Sequence, residues 1–292
     1  MQAGVSGRAT LPPDPFDNEI MVTEWERLAM PRDFCKQCQP GDGLGFDFSF
    51  AFQPIVDVMR RRVYAYEALV RGVDGAGALA ILSQVDAANR YHFDQMARVR
   101  AIELAARLFG DSDALLSINI MPNAVYDPVR CLRTTLRAAK ENEFPLERLM
   151  FEFTEHERVA DVAHLRRIAR HYASCGFTTA IDDFGAGFSG LGFLAEFVPN
   201  VVKIDRELVR DIQHDRVRQA IIGAIFSAAQ DLDITIIAEG IETADEFEFL
   251  VDMGIALFQG FYFARPAFES LPEVNFGGPI ALGSSHYAAG RR

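Results

Sequence analysis

The side chains best suited to chemistry are mostly acidic, and they recur at the ends of short apolar runs. Glu67 stands in YEALVR, Asn119 in SINI, Glu152 in FEFTE and Asp182 with Asp183 in IDDFG. Lys203 follows in VKID, Glu239 in AEGIE and Gln259 in FQG. A charged or amide group inside an apolar strand is costly unless it is paired or bound to metal. One such residue is explained by a buried ion pair or a cap, whereas a series at successive strand ends points to one shared site. Glu67, Asn119, Glu152, Asp182 and Asp183 offer hard oxygen ligands, which suit Mg²⁺ or Mn²⁺ rather than zinc. Adjacent aspartates can bridge or separate two ions, and two ions roughly 3.5–4 Å apart can activate water and clamp an in-line phosphoryl displacement. Lys203 would orient that water, or accept its proton if its pKa were depressed. A structural salt bridge is the plainer role for this lysine. His92, His156, His164, His171, His214 and His286 show no ligand-like spacing, which turns the reading away from a zinc hydrolase.

Positioning such a set requires strands that end at a common place. Short β-branched or aromatic runs alternate with stretches of helical period. The expected strands are 48–56, 63–70, 115–120, 149–153, 178–181, 201–204, 234–238 and 256–259. Helical stretches are expected at 78–90, 94–109, 124–142, 159–175, 191–197, 206–232 and 244–253. This alternation predicts an α/β fold, a TIM-type (β/α)8 barrel, whose strand C-termini share one mouth. A doubly wound open sheet is the alternative, but no glycine-rich phosphate fingerprint follows the first strand. Only Asp57–Arg62 joins the first two runs, too short for a helical crossover. They should form a hairpin, which makes the first strand antiparallel.

Composition narrows the function. The chain has 292 residues and a formal net charge of −12. An acidic surface argues against binding a nucleic-acid polymer, which depends on clustered Lys and Arg. It does not exclude a small anionic nucleotide, because bound cations can reverse the local potential. Residues 1–45 read as a Pro- and Gly-rich leader, 46–276 as the catalytic domain and 277–292 as a flexible tail. No signal peptide or membrane span is read, so a cytoplasmic protein is expected. Cys35 and Cys38 form a CxxC with no second ligand pair nearby, and Cys131 and Cys175 stand alone. All four are expected as free thiols.

Eight ordered segments resemble the EAL domain family, named for the Glu67-Ala68-Leu69 triplet: FQPIVD, YEALVR, INIMPN, FEFTE, IDDFGAGFSGL, VKIDREL, AEGIE and QGFYFARP. The resemblance covers roughly residues 48–272. It implies a barrel with an antiparallel first strand and hydrolysis of cyclic di-GMP to linear pGpG with two Mg²⁺ or Mn²⁺ ions. It places Glu67, Asn119, Glu152 and Asp182 on the first ion, and Asp182 and Asp183 on the second, with Glu239 supporting through water. Lys203 would assist the attacking water. Gln53, Leu69, Arg71, Asp205, Glu242 and Gln259 match positions at the nucleotide site, and Glu155 matches the glutamate that steadies the loop after the fifth strand. That loop, 183–190, departs from the common DFGTGYSS at Ala186, Phe188 and Gly190; no metal ligand is lost. The family further implies a homodimer, with any signal entering through the leader, the dimer interface or a regulatory partner of unknown identity. A cyclic di-GMP receptor without turnover and a protein-binding adaptor are the alternatives; the filled metal and lysine positions favour the enzyme.

Overall fold

The computed structural model describes residues 44–276, apart from 122–123, 126, 155–161, 187–191, 193 and 196. The leader with Cys35 and Cys38, the C-terminal tail, Glu155, residues 187–190 of the loop after β5 and residues 191, 193 and 196 of the expected 191–197 helix lie outside the described residues. The strands are β1 (Phe48–Asp57), β2 (Arg62–Gly72), β3 (Leu115–Ile120), β4 (Leu149–Thr154), β5 (Thr178–Phe184), β6 (Val201–Ile204), β7 (Thr235–Ala238), β8 (Leu257–Phe258) and β9 (Ala267–Phe268). Hydrogen bonding runs in the order β2-β3-β4-β5-β6-β7-β8-β1, and β1 pairs back onto β2, closing a barrel of mixed direction. β1 is antiparallel to both β2 and β8, while β2 through β8 pair in parallel. The hairpin is tight because the buried Asp57 carboxylate accepts the Arg60 backbone N–H and guanidinium, both at 2.9 Å, and Arg61 takes a left-handed turn conformation (φ 49°).

Helices α1 (Ala78–Leu82), α2 (Arg90–Leu108), α3 (Pro128–Glu141), α4 (Val162–Ser174), α5 (Arg206–Val209), α6 (Arg216–Asp231) and α7 (Ala244–Asp252) connect the strands. Two expected helices are each interrupted. The stretch 78–90 stops at Leu82, because Asp86 and Asn89 satisfy each other's backbone N–H groups through their side chains and so compete with helix continuation. The stretch 206–232 breaks at Asp211, which is left-handed (φ 53°) and gives its N–H to Glu246. It restarts at Asp215, whose carboxylate caps Val217 and Arg218. β5 runs on to Phe184, so Asp182 and Asp183 lie within the strand and not beyond it. β9 was not foreseen; two residues held only by pairing with Ala51 and Phe52 leave no local pattern to read.

Inside the barrel, Ile55, Ala65, Met150, Ala180, Val201, Ile237 and Leu257 form one buried apolar cluster, with Leu115 packed against it. Side chains two apart on a strand share a face. The next inward residue toward the strand C-termini is therefore Glu67 on β2, Ser117 on β3, Glu152 on β4, Asp182 on β5, Lys203 on β6, Glu239 after β7 and Gln259 after β8. On the reversed β1 it is Gln53. An apolar plug thus lies directly beneath a polar layer. Outside β3 and β4, Arg98 on α2 is fully buried and bonds Asp94, Thr135 and Tyr172, while Asp94 accepts the Met121 N–H at 3.1 Å. This pins the end of β3, where Asn119 sits.

Candidate metal centre

Lys203 is the hub of the polar layer. Its Nζ lies 2.7 Å from Glu239 Oε1, 2.8 Å from Asp182 Oδ1, 2.9 Å from Glu152 Oε1 and 3.4 Å from Glu67 Oε2. Burial alone would lower the lysine pKa, but the four carboxylates outweigh it and hold the ammonium well above its ordinary value. Among these four carboxylates Lys203 is a fixed cation. Glu152 and Glu239 are both pushed well above the usual carboxylate range, first by burial and then by neighbouring acids, with Lys203 opposing. One ammonium does not balance four carboxyl groups.

The surrounding hydrogen bonds orient the acids. Asn119 donates to Glu67 Oε1 at 2.9 Å, and Gln259 to Glu67 Oε2 at 2.8 Å. Ser117, a residue the sequence reading passed over, donates to Glu152 Oε1 at 2.5 Å. The other oxygen, Glu152 Oε2, is buried without a hydrogen-bond partner, as is Gln259 Oε1. Buried oxygens are seldom left this way without a ligand to satisfy them. Two sets of carboxylate oxygens lie within 4.8 Å of one another: Glu67, Glu152 and Asp182, and then Asp182, Asp183 and Glu239. Asp182 belongs to both. An excess of hard oxygen donors, one of them orphaned, fits divalent cations.

A cavity of about 250 Å³ opens above this layer, lined among others by Gln53, Glu67, Asp182, Asp183, Lys203, Asp205, Glu239, Glu242 and Gln259. Glu152 lies fully buried below it. Gln53 donates to the Ala264 carbonyl at 3.2 Å. Asp205 caps α5 through the Glu207 N–H. Leu69 and Arg71, also expected at the nucleotide site, are half-buried on β2 and do not line the cavity; the Arg71 guanidinium donates to the Val70 carbonyl at 2.7 Å. Arg206, not singled out from the sequence, lines the cavity and pairs with Glu242 at 2.9 Å. Gly240 (φ 67°) is required there, since a Cβ would lie 2.5 Å from Arg206 Cβ. Phe261 was likewise missed; its place in QGFYF was the available signal.

Carboxylates from four strands converging on one end of a closed β/α barrel define a TIM-type barrel with an acidic, cation-ready centre. Within that class the chain belongs to the EAL domain family, whose profile matches residues 45–266. It is similar to a standalone EAL protein from Vibrio cholerae solved with c-di-GMP bound, at 54% identity and a TM-score of 0.76, over 79% of this chain and 96% of that one. It also resembles Klebsiella pneumoniae BlrP1 in a manganese and cy-diGMP complex, at 31% identity and TM-score 0.74, over 88% and 67% of the two chains. Among curated proteins, the blue light- and temperature-regulated antirepressor BluF of Escherichia coli is 34% identical over 77% of this chain. The cyclic di-GMP phosphodiesterase PA2567 of Pseudomonas aeruginosa is 28% identical over 77%. The chain spans 56% and 39% of the lengths of these two relatives. Among the described residues, no helix is long and apolar enough to cross a membrane.

Proposed function

We propose that this protein is a metal-dependent phosphodiesterase that hydrolyses cyclic di-GMP to linear pGpG. The observation that carries the proposal is the shared Asp182 between two carboxylate groups, placed around Lys203 on the floor of an open cavity. Glu67, Asn119, Glu152 and Asp182 would hold one Mg²⁺ or Mn²⁺, and Asp182, Asp183 and Glu239 a second. Bound there, divalent cations supply charge stabilisation to a phosphoryl group and lower the pKa of water. Lys203, pinned by four acids, orients the attacking water and adds a fixed positive charge beneath the scissile phosphodiester. Gln53, Asp205, Glu242 and Gln259 present amide and carboxylate groups to the nucleotide from the cavity wall. Leu69 and Arg71 would contribute from the rim, Arg71 after exchanging its Val70 bond for phosphate. Glu155 would steady the loop after β5. The relatives named for cyclic di-GMP hydrolysis, and those solved with that nucleotide, support the same substrate.

Incubation of purified protein with cyclic di-GMP and Mn²⁺ should yield pGpG on chromatography, and a chelator should abolish the product. Intact substrate together with tight nucleotide binding would replace the enzyme by a receptor. The similarity to a protein named as an antirepressor gives one further reading, an EAL protein acting on another protein; absence of nucleotide binding would favour it. We also place the protein in the cytoplasm, where the nucleotide would be met, and propose a homodimer, to be checked by light scattering.

A further inference from the structure

The cavity lining is almost wholly polar, with one exception. Among the described residues that line it, Phe261 is the only apolar side chain apart from glycines, and it is 44% exposed. Its neighbours in the turn go the other way. Tyr262 and Phe263 pack against Phe247, and Phe263 also meets Phe258, so these two rings belong to the core. The turn is locked: Gly260 lies against the Ile241 backbone so closely that no Cβ fits, and the Gly260 carbonyl accepts the N–H groups of Phe263 and Ala264. Phe261 is therefore held on the cavity wall by a rigid support, two residues after Gln259. The Arg265 guanidinium stands over the ring, 4.2 Å from its centroid. A cation on one face fixes the ring plane and leaves the other face for a second flat group.

We infer that Phe261, braced by Arg265, is the platform on which a nucleobase of the substrate stacks. This inference rests on the cyclic di-GMP reading and names a specificity element within it. A cavity of carboxylates, amides and the side chains of Lys203 and Arg206 can grip the phosphodiester and the polar edge of a base, but among the described lining residues only this one carries an aromatic ring. Stacking tolerates any base, so Phe261 contributes affinity for nucleobase-bearing diesters, while choice among bases falls to the polar wall.

The test is calorimetric titration of cyclic di-GMP into the full chain with chelator present, so that no turnover occurs. Phe261→Ala should weaken binding roughly 5- to 150-fold, the range found for loss of one base–aromatic stack. Phe261→Trp should stay within about threefold of wild type, whereas Phe261→Leu, with apolar bulk but no π face, should resemble the alanine variant. Cyclic di-AMP, where it binds, should lose affinity by a similar factor. Mn²⁺-induced thermal stabilisation serves as a control for an intact acidic layer and should be the same in all variants. Wild-type binding unchanged by Phe261→Ala, or fully preserved by Phe261→Leu, overturns the platform and leaves the substrate assignment standing. Failure of the wild type to bind cyclic di-GMP overturns the substrate assignment and the platform with it.

Discussion

Two of the carboxylates around Lys203, Glu67 and Glu152, are also held by amide or hydroxyl donors, which makes single substitutions there informative. Glu67 accepts from Asn119 and Gln259, so Glu67→Gln keeps similar volume and one acceptor oxygen while removing one negative charge, and the second amide partner must turn its oxygen to the new NH2. The fold should survive this change, with melting temperature altered little. Hydrolysis of cyclic di-GMP should fall by roughly 100-fold or more, since even residues behind a metal ligand are worth 10–100-fold. Normal turnover in Glu67→Gln, measured as pGpG formed, would remove Glu67 from the machinery. The acidic set was readable from the sequence because each member follows an apolar strand residue by two positions, a spacing that fixes the face. Ser117 and Phe261 were not. A serine in a strand and an aromatic in an aromatic-rich turn look like ordinary packing until their neighbours are known.

At the level of elements, the loop after β7 carries Glu239 and Glu242, and its shape depends on the start of α7. Thr243 caps that helix and Glu246 completes the capping box. Glu246 also accepts the N–H groups of Asp211 and Glu242, joining the break between α5 and α6 to the same carboxylate. Burial pushes the Glu246 pKa up, but the backbone donors of Asp211, Glu242 and Thr243 pull it further down, and the net value is below the ordinary one. A lowered folded-state pKa gives stability that is present above the ordinary glutamate range and is lost as pH falls through the folded value. Glu246→Ala should cost about 1–2 kcal/mol, the usual worth of a cap. That corresponds to a drop of roughly 2–8 °C in melting temperature near pH 7. The gap from wild type should narrow below about pH 4; a gap that persists there would deny the charge its role. The β-branched runs made the barrel strands legible because their pattern is local. The interruptions at Asp86–Asn89 and Asp211 were not legible, since one needs side-chain turns and the other a glutamate 35 positions along the chain.

For the whole molecule, the acidic layer concentrates like charge at one end of the barrel. Its carboxylates come from β2, β4, β5 and the end of β7, and no short segment of the unfolded chain gathers them. Cations that bind the layer therefore bind the folded state alone, and their binding free energy adds to stability. With Mn²⁺ at about 100 times its dissociation constant the gain is about 2.7 kcal/mol, or roughly 5–10 °C in melting temperature for a domain of this size. The pH dependence follows from Glu152 and Glu239, whose pKa values are raised by burial and by neighbouring acids. Groups raised in the folded state contribute stability fully below their unfolded value, near 4.5, and lose it as pH climbs toward the folded values. The metal-free barrel thus gives up part of its stability as these acids ionise, over the same interval in which protons stop competing with cations. The Mn²⁺-dependent rise in melting temperature should accordingly be small at pH 5 and grow toward pH 8. Asp182→Asn, which removes the carboxylate common to both groups, should suppress most of it. Calorimetric scans of the wild type and Asp182→Asn with chelator and with Mn²⁺ across that range measure the effect. An increment independent of pH, or one retained in Asp182→Asn, would place the cations elsewhere on this acidic surface.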